Sequence, residues 1–289
     1  MSLSVNSIAG SLAATHQIQR TYANLANTVT QLSTGSRINS AKDDPAGLIA
    51  SELFRAEITG SNAAMKNTVL ANSMLSVAES GMSQISTLLN EAKGLAVEAA
   101  NSGVMTPTMI QANQMQMNAI LDSIDRFSRT TNWLGKPLLD GSLSGNNGGA
   151  LFQLGPDVVS NQQVTVPIAG TQTHQVGGES GTLMDLRSGG AASLANNPGL
   201  ADQILNSAIS QISTQRGDIG ATQRYTLDPN LHALQDSIVQ LTGARSIIAD
   251  TDYALAVSNM VRDQILLQAG FQALGIINQS RGYATSLLG

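Results

Sequence analysis

The side chains able to do chemistry are few and scattered. The three histidines, His16, His174 and His232, have no second metal-type ligand at helical or hairpin spacing, so they read as surface or interface residues. Asp43 and Asp44 could form an acid–base pair, but a carboxylate directly before Pro45 is better placed to cap a helix or to meet Arg37 or Lys42. Asp250 and Asp252 flank another helix start and read the same way. The run Ser144-Gly145-Asn146-Asn147-Gly148-Gly149 lacks the Gly-Lys-Ser/Thr of a phosphate loop and the flanks of a dinucleotide site, so it is turn. With no cysteine there is no thiolate chemistry and no disulfide. No polar constellation converges, so no enzyme, cofactor or metal is expected.

The elements that would have to position a site are helices. From Tyr253 the positions Tyr253, Val257, Met260, Leu267, Phe271 and Leu274 recur at steps of four and three, with Gln264 in the one polar slot. Ile18, Tyr22, Leu25, Val29 and Leu32 keep the same rhythm near the N-terminus, and Ile8 and Leu12 extend that face. A helix with an apolar stripe must bury it, so these ends are expected to pack on each other or on other copies, and together they form the expected polymerisation seam.

Between the ends, a first helix is predicted over Val5 to Thr34, stopped by Gly35, and a second from Asp44-Pro45 to about Asn101. Inside the second, Ala71, Leu75, Ala78, Met82, Ile85, Leu89, Ala92, Ala96 and Ala99 step four-three without a break, a seam for close backbones. A third helix opens at Thr106-Pro107 with Met117, Ile120, Ile124 and Phe127 on its seam. Glycine then becomes frequent. Val164, Val166 and Ile168 alternate with Gln163, Thr165 and Pro167, which reads as short strands, with Pro167 at an edge. Helix resumes near Leu200 with Ala201, Leu205, Ala208, Ile212, Ile219 and Thr222 in one seam and Leu227, Leu231, Leu234, Ile238 and Leu241 in another, one residue out of step. The slip predicts a kink or restart at Asp228-Pro229, with Asp228 as a possible cap.

The expected fold class is mainly α: a long helical hairpin or coiled-coil bundle made from the N- and C-terminal halves, with a small central β-rich insert. The expected division is 1–40 with 253–289, 41–141 with 200–252, and 142–199 as the insert at the outer end. A net charge of −5, with 15 Lys and Arg spread along the chain, argues against nucleic acid and acidic membranes. No long apolar run spans a membrane, and the first residues lack the basic start of a cleaved signal, so if the protein leaves the cell it is expected to do so by another route.

Several long stretches also resemble bacterial flagellin. They are Gln31-Leu32-Ser33-Thr34-Gly35-Ser36-Arg37-Ile38-Asn39-Ser40-Ala41-Lys42-Asp43-Asp44-Pro45-Ala46-Gly47-Leu48, Gly94-Leu95-Ala96-Val97-Glu98-Ala99-Ala100-Asn101 and Asn132-Trp133-Leu134-Gly135-Lys136-Pro137-Leu138-Leu139-Asp140-Gly141. The second half adds Arg216 to Gln223, Ala244 to Tyr253, Gln264 to Gly270 and Leu287-Leu288-Gly289. The resemblance covers about 1–141 and 200–289. It implies an extracellular filament subunit of many identical copies, whose terminal helices pair in the inner core. It also implies secretion through the flagellar export apparatus, an export chaperone on the C-terminal helix, and hook-associated and cap proteins as neighbours. Members seen by the Toll-like flagellin receptor carry a basic residue where this chain has Glu91, between Leu89 and Leu95, so weak or absent recognition is expected. The alternatives are a hook–filament junction protein, an enzyme housed in 142–199, and a coiled-coil adaptor that closes into small oligomers.

Overall fold

The computed structural model describes residues 2–101 and 103–288, and for residues 2–8, 281, 282 and 284–288 the backbone alone. The chain is mainly helical: α1 (Ser2–Thr34), α2 (Pro45–Ala99), α3 (Pro107–Thr130), α4 (Pro198–Thr222), α5 (Asp228–Ala249) and α6 (Tyr253–Leu288). A small β-containing segment separates α3 from α4. Two compact units emerge: Met1–Glu57 with Val239–Gly289, and Ile58–Ile238.

Helix boundaries follow local chemistry. Gly35 ends α1 with φ of 72°, a left-handed conformation that glycine adopts without steric penalty. Asp44 then accepts from the Gly47 amide at 2.9 Å, and Pro45 fills the first helical position of α2, where its missing N–H is no loss. Thr106 with Pro107, and Asn197 with Pro198, repeat this device for α3 and α4.

In the first unit α1 and α6 pack along each other. Tyr253 at the start of α6 lies against Gly35 at the end of α1, and Gly270 lies against Ile18, so the pair is antiparallel. The link after α1 is tied across to the end of α5. Arg37 N–H donates to the Ala249 carbonyl at 2.7 Å, and the Thr251 amide donates to the Gly35 carbonyl at 2.9 Å.

In the second unit the α2 seam is buried at every expected position: Ala71, Leu75, Ala78, Met82, Ile85, Leu89, Ala92, Ala96 and Ala99 are all 3% exposed or less. Against it pack Met117, Leu121 and Ile124 of α3 and Ala201, Ile204, Leu205, Ala208, Ile212 and Ile219 of α4. Of the other residues expected on these seams, Ile120, Phe127 and Thr222 are half-buried.

The passage from α4 to α5 corrects one expectation. There is no restart at Pro229: the helix continues through a π turn, Gln223–Leu227, and the Asp228 amide donates to the Gln223 carbonyl five residues back. A π turn absorbs one extra residue, which is the one-residue slip between the two seams. It also widens the backbone directly before Pro229, whose ring would clash with a regular preceding turn. Asp228 has helical angles (φ −63°, ψ −48°), leaving no break for its carboxylate to cap. The turn is pinned to α2 by Gln223, whose Nε2 donates to Asn72 Oδ1 at 2.7 Å and Ser76 Oγ at 3.1 Å.

The central segment holds three antiparallel two-stranded ribbons. They are β1 (Asn132–Trp133) with β2 (Lys136–Pro137), β3 (Ala150–Gln153) with β4 (Gln163–Val166), and β5 (Gly177–Gly178) with β6 (Gly181–Thr182). Val166 and Ile168 point inward as the alternation requires, and Pro167 falls just past the end of β4. Polar ties fasten the segment to α3. Gln114 donates to the Leu186 carbonyl and accepts from the Leu194 amide, both at 2.8 Å. Arg187 bridges Asp122 at 2.7 Å and Asp125 at 3.1 Å. The hydrogen bond to Asp122 raises the Arg187 guanidinium above its ordinary pKa, against the opposing effect of burial.

Candidate assembly surface

The α1–α6 pair uses a narrower stripe than apolar content alone suggests. Its inward positions are Ser11, Ala14, Ile18, Thr21, Leu25, Thr28 and Leu32 on α1, and Ala256, Met260, Asp263, Leu267, Gly270, Leu274 and Ile277 on α6. Both sets alternate steps of three and four, a heptad seam. Small residues, Ala14, Thr21 and Thr28 on α1 and Ala256 and Gly270 on α6, occupy alternate layers and let the backbones approach. The Thr21 and Thr28 hydroxyls are satisfied within their own helix, donating at 3.0 Å to the carbonyls of Gln17 and Asn24.

Of the expected polymerisation residues, Ile18, Leu25, Leu32, Met260, Leu267 and Leu274 lie in this seam. Leu12, Tyr22, Val29, Tyr253, Val257 and Phe271 lie outside it and are 44–66% exposed, Val257 the least and Tyr22 the most. The Ile8 side chain lies outside the described residues. Two stripes therefore share the positions spaced by seven, and the bulkier alternate set remains in solvent.

A carboxylate sits within the seam. The Asp263 side chain is 5% exposed, and its ionic partner is the neighbouring Arg262, whose Nε lies 3.4 Å away. A polar group among apolar layers disfavours slipped pairings that would strand it, at a cost in stability.

The link at the head of the pair is ordered by charge. Arg37 Nη2 and Nε donate to the Ile248 carbonyl at 2.6 and 3.1 Å, and Nη2 lies 3.9 Å from Asp44. Asp43 Oδ2 accepts from the amides of Asn39 at 3.0 Å and Ser40 at 2.8 Å. Those donors, Asn39 first, hold the Asp43 carboxyl below its ordinary pKa. Asp252 caps α6 through the Leu255 amide at 3.1 Å, whereas Asp250 accepts from Ser246 Oγ at 2.6 Å within the last turn of α5.

In the segment resembling the receptor-binding motif, Leu89 is fully buried, Leu95 half-buried and Glu91 exposed on α2. His16, His174 and His232 are all exposed, and the described residues hold no group of three acidic or histidine side chains able to grip a metal. No described helix is long and apolar enough to cross a membrane. Sequence reading missed the polar ties of the central segment, because Gln114, Arg187 and their partners are brought together only by the fold. It also missed Asn197-Pro198, a cap signature of the kind recognised at Asp44-Pro45.

Paired long terminal helices, with a small β-containing segment in the middle of the sequence, define a mainly helical protein. The sequence matches give its kind. Residues 5–144 match the bacterial flagellin N-terminal helical region and residues 203–288 the bacterial flagellin C-terminal helical region. A flagellin of Bacillus subtilis (strain 168) is 31% identical over 276 residues, covering 89% of this chain and 90% of its own. A flagellar filament 30.7 kDa core protein of Treponema maltophilum is 29% identical over 253 residues, covering 86% and 87%. The chain belongs to the bacterial flagellin family. Among solved structures, Bacillus cereus flagellin overlaps 58% of this chain and 88% of its own at 23% identity, with a TM-score of 0.45.

Proposed function

We propose that this protein polymerises into the extracellular flagellar filament, through residues 1–40 and 253–289, for swimming motility. The observation that carries this reading is the split between two stripes on the terminal helices. The seam takes up Ile18, Leu25, Leu32, Met260, Leu267 and Leu274 with small side chains between them, while Tyr22, Val29, Tyr253, Val257 and Phe271 stay 44–66% exposed on the same pair. Apolar surface of that kind gains roughly 25 cal/mol per Å2 when a neighbouring copy covers it. Residues 41–141 with 200–252 would then form the helical rod domain, and 142–199 the insert. Before assembly, an export chaperone would cover the Val257 to Leu274 face and the flagellar export apparatus would pass the chain, with hook-associated and cap proteins as end partners.

The test is electron microscopy of the purified chain and of a form lacking residues 1–40 and 253–289. Filaments from the intact chain and none from the trimmed form are expected. A full-length chain that stays monomeric under seeding would overturn the reading. Abundance along sheared filaments, against a few copies at the hook, separates a filament subunit from a junction protein.

A further inference from the structure

Two features of the Ile58–Ile238 unit are not explained by terminal-helix polymerisation. The first is Leu134, at the tip of the β1–β2 hairpin, where Asn132 and Trp133 pair with Pro137 and Lys136. Among the described residues it is the one non-glycine with positive φ, at 50°, and it is 88% exposed. A left-handed backbone is unfavourable for leucine, and an apolar tip in water gains nothing from its own fold. Strained residues held by a rigid surround concentrate where another molecule is gripped. The hairpin is such a surround, because Thr131 and Leu139 at its root pack against Gly81 of α2.

The second feature is an apolar groove of about 430 Å3 lined by Met65, Val69 and Leu70 of α2 and Leu231 of α5, edged by Lys66 and Gln235. Val69 and Leu70 are about half exposed, so the chain leaves the groove unfilled. It lies about 16 Å from Gly81 along α2, at 1.5 Å per residue from Leu70.

The cavity that adjoins the groove carries a charge opposite to those of the hairpin. Lys136 in the hairpin and Arg129 in the last turn of α3 are exposed and take part in no ion pair among the described residues. Asp228 lines a cavity that adjoins the groove and shares Val69 and Leu231 with it. It is exposed and likewise without an ion pair among the described residues. Lys66 is the single opposing charge at the groove edge.

We propose that the Leu134 hairpin of one copy seats in the Met65–Leu231 groove of the next copy, with Lys136 and Arg129 toward Asp228. Tip and groove lie at different places on one surface, so the contact is heterologous and each copy offers one of each, which builds an open chain of subunits. This rests on the filament reading and adds a contact outside the terminal helices.

The chain has no cysteine, so any introduced thiol is unique. Leu134→Cys and Val69→Cys are purified separately, polymerised alone and as an equal mixture, and treated with a short bis-maleimide. Dimers on a denaturing gel from the mixed filaments, several-fold above either variant alone, are expected. A mixture of Val69→Cys with Met115→Cys, exposed on α3, is the control. Filaments whose Leu134→Cys and Val69→Cys mixture gives no more dimer than the control would overturn the contact and leave the terminal-helix reading standing. Failure of the unsubstituted chain to polymerise would remove both. Leu134→Glu is the second arm: its filament yield should fall at least several-fold at unchanged helicity, and an unchanged yield counts against the contact.

Discussion

A methyl group placed on Gly270 would stand 2.9 Å from Cγ1 of Ile18 across the α1–α6 seam. Gly270→Val should therefore push the two helices apart, at a cost of about 1–3 kcal/mol for overpacking a fitted contact. Hydrogen exchange would show α1 and α6 losing protection together while α2 to α4 keep theirs. Unchanged protection would mean that the pair tolerates bulk at this layer.

Asp263 should behave in the opposite way. Its side chain is 5% exposed with one ion pair at 3.4 Å, so Asp263→Leu removes a poorly compensated buried carboxylate. Replacing such groups by apolar ones is commonly neutral or stabilising by about 1–4 kcal/mol. The thermal midpoint of the pair should hold or rise, and filaments should lose uniformity as slipped registers become tolerable. A sharp fall in the midpoint would show that the carboxylate has a stabilising role.

Pro229→Ala tests the π turn. Restoring an N–H and removing the ring should stabilise the helix, by at most about 3 kcal/mol. The turn itself should persist, because Leu227 is buried and Gln223 remains bonded to Asn72 and Ser76. Amide exchange across 223–229 reads both outcomes.

Asp43 gives the link after α1 a pH dependence. Its folded pKa lies below the ordinary 3.8, so the stabilisation is present above that value and is lost as pH falls through the lower folded one. The Asn39 and Ser40 amides should exchange faster under strong acid in the native protein. In Asp43→Asn that acid-dependent step should vanish.

Glu91→Arg should raise signalling in reporter cells bearing the Toll-like flagellin receptor, since it places a cation on an exposed position of α2 beside Leu89. A full-strength response from the unchanged protein would contradict the expectation.

How far the sequence could be read depends on how many residues agree. The α2 seam was legible because nine consecutive heptad positions, Ala71 to Ala99, are apolar and no competing stripe is as regular. On the terminal helices two stripes share Ile18, Leu25 and Leu32, and likewise Met260, Leu267 and Leu274. Apolarity favours Tyr22 over Thr21 and Phe271 over Gly270, yet close backbone approach favours the smaller member of each pair. Hydrophobic pattern does not encode that distance. The slip before Pro229 was visible as one residue out of step, but periodicity alone does not distinguish a break from a π turn. The ties of Gln114 to Leu194 and of Arg187 to Asp122 leave no local signature, because partners so far apart in sequence meet only after folding.

The antiparallel match of Ile18 with Gly270 also fixes when α1 can be sheltered. Its partner on α6 is made long after it, so α1 emerges from the ribosome and waits until α6 has followed. Contacts of such long sequence separation are late and slow to form. Closure of the pair thus waits on the synthesis of α6, and a product truncated before that helix would keep α1 bare.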